Sequence, residues 1–222
     1  MFSKKITIGL MFVILVVTTT NAQQHLDPEY IKVTEQRAGA IVEGMGLSGS
    51  EKAHAVTQII AKQYQNLSKF HDAIDAKVDA IKAEGFEDAK EERKIAKAKQ
   101  ISAKKINKLH KSYLKQLDKH LNETQMDAVK DGMTYGVLPK TYTAFLEMIP
   151  SLTEPQKQYI YDNLKEAREH AMDAGSSKEK HAWFGKYKGR INNFLSAEGY
   201  DLERERDGWY KRIEEQKKQS KK

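Results

Sequence analysis

Residues 50–119 read SEKAHAVTQIIAKQYQNLSKFHDAIDAKVDAIKAEGFEDAKEERKIAKAKQISAKKINKLHKSYLKQLDK. Val56, Ile60, Tyr64, Leu67, Ile74, Val78 and Ile81 recur at near-heptad spacing, which places them on one face of a helix. Gly85 interrupts the pattern, and Ile95, Ala98, Ser102, Ile106, Leu109, Tyr113 and Leu117 resume it. The spacing predicts two helices, from about 50 to 84 and from about 87 to 119. At ~1.5 Å per residue each is about 50 Å long. A link of only a few residues at 84–87 makes them antiparallel neighbours. Their apolar stripes are narrow and broken by Ala and Ser, as in a coiled-coil seam. The reading is a long antiparallel helical hairpin over about 50–119 that projects from the rest of the molecule or packs along it.

The same spacing of three and four runs through the remaining chain, only four prolines occur, and strand-like alternation is hard to find. The fold class is therefore all-α: the long hairpin packed with a bundle of shorter helices. Asp27-Pro28 opens a first helix, since Asp caps well and Pro suits the first turn. The stretch Gly44–Gly49 closes it. The aromatic-rich half, about 121–216, divides into helices at Asn122–Met133, Lys140–Met148, Thr153–Ala174, Ser176–Glu198 and from Asp201 to about Gln216. Gly136-Val137-Leu138-Pro139 is expected to break the chain. Ser48/Glu51, Asn122/Gln125, Thr153/Gln156 and Ser176/Glu179 each have the spacing of a capping box, in which two side chains reciprocally satisfy first-turn N–H groups. Residues 23–217 are read as a single helical domain.

The N-terminal stretch pairs Lys4 and Lys5 with an apolar run from Ile6 to Val17 and then Thr20-Asn21-Ala22. That pattern predicts a signal peptide over 1–22, cleaved near Ala22. The run is too short for a spanning helix, which needs roughly 20 residues. The expected location is periplasmic or extracellular, with no membrane span after cleavage. The chain has no cysteine, so no disulfide staples the fold. Its 38 Lys+Arg against 31 Asp+Glu give a net charge of +7. A basic exported protein meets acidic polysaccharide, anionic head groups or unfolded clients rather than nucleic acid. Residues 218–222 are expected to form a disordered basic tail. Oligomeric state is left open.

No catalytic or metal-binding motif emerges. Seven histidines are scattered without HExxH spacing, cysteine ligands are missing, and neither a Gly-rich phosphate loop nor a GxSxG elbow is found. Glu166/Glu169 and Glu203/Glu205 read as surface ion pairs. No cofactor is expected, and a non-enzymatic protein is favoured. The distinctive segment is HAWFGKYKGR, residues 181–190. Phe184, Tyr187, Ile191 and Phe194/Leu195 form a buried face. Trp183, Lys186 and Arg190 line the neighbouring one, where an indole and a guanidinium suit a sugar ring and its hydroxyls. His170, His181, Tyr135 and Tyr142 complete the candidate ligand-binding set. Gly185 and Gly189 each cost about 1 kcal/mol inside a helix, so they are expected to admit the close approach of another helix or, as the lesser alternative, of a bound group.

Two resemblances follow from these residues. Leu152-Thr153-Glu154-Pro155-Gln156, with a departing copy at Leu121-Asn122-Glu123-Thr124-Gln125, resembles the LTxxQ motifs of the Spy/CpxP group. That similarity implies an ATP-independent periplasmic chaperone or envelope-stress protein. EAREHAMDAGSSKEKHAWFGKYKGRINNFLSAEGYDL at Glu166–Leu202, with DAVKDGMTYGVLPKTY at Asp127–Tyr142, resembles a family of exported bacterial proteins of unknown function whose members are described at most as sugar-binding. That resemblance covers most of the mature chain and implies an oligo- or polysaccharide partner. It carries no catalytic residue across.

Overall fold

The computed structural model describes residues 26–219. The segment read as a signal peptide, over 1–22, and the last three residues of the expected tail lie outside them. Among the described residues the chain forms eight helices and no strand: α1 Pro28–Gly44, α2 Glu51–Ala83, α3 Asp88–Leu117, α4 Glu123–Met133, α5 Val137–Met148, α6 Glu154–Met172, α7 Ser177–Ala197 and α8 Leu202–Gln219. The all-α class and the long α2–α3 hairpin are both present. None of the described helices is long and apolar enough to cross a membrane.

Local chemistry sets most helix starts. Asp27 accepts from the Glu29 N–H at 2.9 Å. Asn122 and Gln125 form the reciprocal box at 2.9 and 3.2 Å. Ser176 accepts from Glu179 N–H at 3.2 Å, and Glu179 takes the Ser176 N–H at 3.1 Å. Asp201 accepts from both Glu203 and Arg204 N–H groups at 3.1 Å. One start differs from expectation. Ser50, not Ser48, caps α2, accepting from Ala53 N–H at 3.0 Å, because Gly49 takes a left-handed turn just before it.

The chain break also shifts. Tyr135 and Gly136 occupy the left-handed region at φ 61° and 63°. Val137, Leu138 and Pro139 already form the first turn of α5, where the missing proline N–H costs no helical bond. At the far end, α8 continues to Gln219, so Lys218 belongs to a helix rather than to a tail.

Two hydrophobic clusters form the core. One joins α1, the base of the hairpin and α4 around Val42, Ile60, Leu117, Val129 and Met133. The other joins α5, α6 and α7 around Phe145, Ile160, Leu164, Phe184 and Ile191. α6 links them: Met172 packs in the first cluster, while Ala167 and Ala171 pack in the second. Of the buried face expected on α7, Phe184, Tyr187, Ile191 and Leu195 form its inner side, while Phe194 is half-buried and stacks on Tyr159 at 3.9 Å.

The hairpin is anchored only at its base. Of the 30 residues of α3, the buried ones are Tyr113 and Leu117, next to the first core cluster. Farther out, Ile74, Val78, Ile95, Ala98 and Ile106 are half-buried against the opposite helix. At the tip, Lys94 pairs with Glu84 at 3.1 Å and sits 3.5 Å above the Phe86 ring. The outer hairpin is thus a two-helix arm that projects beyond the core.

Candidate functional site

α6 is held against α3 and α4 by a charge network that the sequence reading missed. Arg168 is 1% exposed and donates to Asp131 at 2.8 Å and to Asp127. Asp127 and Asp131 are one turn apart on α4, so both carboxylates face the same guanidinium. Glu169 pairs with Lys130 at 2.8 Å and with His110 of α3 at 3.4 Å. His110 also meets Asp173 at 3.0 Å. Both ring nitrogens of His110 therefore face acceptors, which fits an imidazolium. The hydrogen bonds to Asp173 and Glu169 push its pKa up to about 9. Burial alone would raise Glu169, but the bonds from His110 and Lys130 outweigh it and hold that carboxyl at about 2. Glu166 is the exposed ion-pair partner expected of it, 3.4 Å from Arg190, whereas Glu169 belongs to this internal network. The signal available in the sequence was the i, i+4 acid pair of DAVKD opposite the lone arginine of KEAREH.

The network fixes the position of a cleft between the hairpin and the α6–α7 pair. It measures about 630 Å³. Ala103, Ile106 and Asn107 of α3 form one wall; His170, Trp183 and Lys186 form the other. The His170 and Trp183 rings stack at 4.3 Å with 15° between planes. Lys186 Nζ lies 5.1 Å from the indole centroid. Asp173 and Glu179 border the cleft but are engaged by His110 and by the N-cap of α7. The Asn107 amide and the Lys186 ammonium make no hydrogen bond within the described chain.

Trp183, Lys186 and His170 come together as one surface, and Arg190 continues it. Arg190 lies 4.6 Å from the Tyr187 centroid and reaches both Asn163 and Glu166 at 3.4 Å. The other three candidates are elsewhere. Tyr135 stacks on His181 at 5.7 Å and lines a second cleft of about 670 Å³, with Arg37, Tyr64 and Lys180. Tyr142 packs edge-on against Tyr161 at 5.3 Å on the α5–α6 contact. The two clefts meet at His71, whose Nε2 donates to the Asp173 carbonyl at 2.8 Å and so carries the ring proton.

Gly185 and Gly189 correct the close-packing expectation. Both are exposed, and a Cβ at either would meet nothing within 4 Å. α7 turns its apolar face to α6, which leaves the glycines on the opposite side. The close approaches occur instead at Gly175, where a Cβ would stand 2.7 Å from the His71 ring, and at Gly132, 2.7 Å from Ile41.

His181 Nδ1 lies 2.8 Å from the Ser177 carbonyl and 3.5 Å from its hydroxyl. A carbonyl only accepts, so Nδ1 carries the proton and does not serve as a base for Ser177. Among the described residues no three His, Cys, Asp or Glu side chains are grouped to hold a metal ion. Lys180 is buried and donates to the Ala171 and Met172 carbonyls at 2.9 and 3.2 Å. It closes the end of α6, and burial pulls its pKa down to about 8.

The family model described as Protein of unknown function (DUF3826) matches residues 31–215. No curated protein matches the chain. The match extends from the first turn of α1 into α8 and takes in the hairpin, both core clusters and both clefts; the chain belongs to the DUF3826 family.

Proposed function

We infer that the protein binds a carbohydrate chain in the cleft between α3 and the α6–α7 pair, with Trp183 as its platform. The observation that carries this reading is a tryptophan lining an open cleft, beside an amide and an ammonium that have no hydrogen-bond partner of their own. One face of the indole is taken by the His170 ring; the other, flanked by a few polar groups, suits a pyranose, whose C–H face stacks and whose equatorial hydroxyls bond. Asn107 supplies both a donor and an acceptor, and Lys186 supplies donors. Arg190 extends the polar edge along α7 and suits an acidic sugar at the next subsite. Export through the N-terminal segment would bring such polymers within reach.

The alternative, a chaperone for unfolded clients, calls for a broad apolar cradle. The hairpin arm offers one groove of about 390 Å³ instead, so the carbohydrate reading is the better supported.

Trp183 fluorescence titrated with neutral and uronic-acid oligosaccharides tests the proposal, with Trp209 removed by Trp209→Phe to isolate the signal. The expected result is a saturable change with at least one oligosaccharide class and loss of that binding in Trp183→Ala. No spectral or thermal-midpoint change across the panel, or unaltered binding by Trp183→Ala, would refute it.

A further inference from the structure

The hairpin arm carries an apolar groove remote from the Trp183 cleft. Its floor is Phe70, Ile74, Ile81, Ala98 and Ile101. Three large hydrophobic side chains are exposed among the described residues, namely Ile101, Tyr135 and Tyr210. Only Ile101, 47% exposed, lacks a polar atom that would favour water. The banks are cationic on both sides: Lys77 from α2, and Lys94, Lys97 and Lys105 from α3, against the single acid Glu84. Glu84 is spent on Lys94 at 3.1 Å. Lys77, Lys97 and Lys105 pair with no carboxylate among the described residues.

We propose that this groove is the docking site for an acidic amphipathic helix of a partner protein. From Phe70 to Ile81 the floor runs for three turns, about 17 Å at ~1.5 Å per residue. That length accepts apolar side chains spaced i, i+3/i+4 and i+7 from one helix. A third helix there would cover Phe70, Ile74 and Ala98, which two helices leave half-buried, and the exposed Ile101, while Ile81 is already buried. Asp or Glu on its flanks would meet the three unpaired lysines. Other occupants fit the charge poorly. A second copy of the arm would set lysine against lysine. The N-terminal apolar segment brings Lys4 and Lys5 and no acid. An anionic bilayer would reach the lysines, but of the large floor side chains only Ile101 is exposed enough to enter one.

The test uses the full chain and labelled synthetic helices of about 15 residues, followed by fluorescence anisotropy. One peptide has a Leu/Ile stripe flanked by Glu, a second has the same stripe flanked by Lys, and a third has Glu flanks with the stripe changed to Ser. The Glu-flanked apolar peptide should bind at least about tenfold more tightly than either control. Lys97→Glu with Lys105→Glu should invert the preference between the two apolar peptides. Lys97→Gln with Lys105→Gln should weaken the acidic one, with circular dichroism unchanged. Trp183→Ala should leave peptide binding intact, which separates this site from the carbohydrate cleft. Equal binding of acidic and basic peptides, or binding indifferent to Lys97 and Lys105, would overturn the proposal. So would capture of phosphatidylglycerol vesicles through these lysines without peptide binding, or charge-independent suppression of client aggregation.

Discussion

Arg168 of α6 donates to Asp131 of α4 at 2.8 Å while almost wholly removed from water, and its Nε has no hydrogen-bond partner among the described residues. The desolvated guanidinium is therefore held by two carboxylates that are themselves partly solvated. Removing one side of such a pair costs more than the pair contributes. Arg168→Ala should lose about 3–5 kcal/mol in urea unfolding. Arg168→Met should lose clearly less, since it fills the space and lets Asp127 and Asp131 turn to water. Equal losses in the two variants would mean that charge, not volume, matters at this point.

His110 and Glu169 set the pH range of this seam. The folded-state pKa of His110 is raised from 6.5 to about 9, so its stabilisation is complete below pH 6.5 and disappears as pH rises through about 9. Glu169 is lowered from 4.5 to about 2, so its stabilisation is complete above pH 4.5 and disappears as pH falls toward 2. The thermal midpoint should plateau between pH 4.5 and 6.5 and decline on both sides, with the alkaline decline opposed above about pH 8 by Lys180, whose lowered pKa makes the folded state more stable as it loses its proton. His110→Gln should flatten the alkaline decline selectively. An unchanged alkaline limb in that variant would remove His110 from the account.

The glycines of the α7 region should respond with opposite signs. Gly185→Ala and Gly189→Ala add helix propensity without meeting any atom within 4 Å. Each should gain about 0.5–1 kcal/mol, raising the melting temperature by roughly 2–4 °C per kcal/mol. Gly175→Ala drives a Cβ to 2.7 Å from a His71 ring fixed by its bond to Asp173. It should cost about 1–3 kcal/mol. A loss of stability in Gly185→Ala would show that something packs on the exposed face of α7.

Gln156 does more than begin α6. Its side-chain oxygen accepts from Thr153 N–H and from the Tyr200 hydroxyl, both at 2.9 Å, and its amide donates to Glu198 at 3.1 Å. The LTxxQ glutamine thus ties the start of α6 to the turn between α7 and α8. Gln125, in the copy, accepts from Asn122 N–H and from Lys52 at 3.2 Å each. At about 1 kcal/mol per hydrogen bond, Gln156→Ala should cost more than Gln125→Ala in chemical unfolding. The reverse order would reduce the motif to a helix start.

The long helices, their caps and the register of the hairpin stripe were legible in residues 50–119 because each depends on neighbours three or four positions away. The inner face of α7 was legible for the same reason. Apart from the α2 cap, the start of α5 and the end of α8, the misplaced features are contacts between distant segments. Arg168 reads as one more charge on a polar helix until α4 brings Asp127 and Asp131 to it. Gly185 and Gly189 read as a packing groove until α7 turns that side to solvent. Tyr135 and Tyr142, seven residues apart, part company because the left-handed pair Tyr135-Gly136 reverses the chain between them. The sequence by itself determined an all-α chain with an extended hairpin, since periodicity and capping are local. Tertiary packing alone decided which aromatic and basic side chains share a cleft, since segments as far as 102 residues apart must meet before Trp183 and Asn107 line one cleft or His71 reaches Asp173.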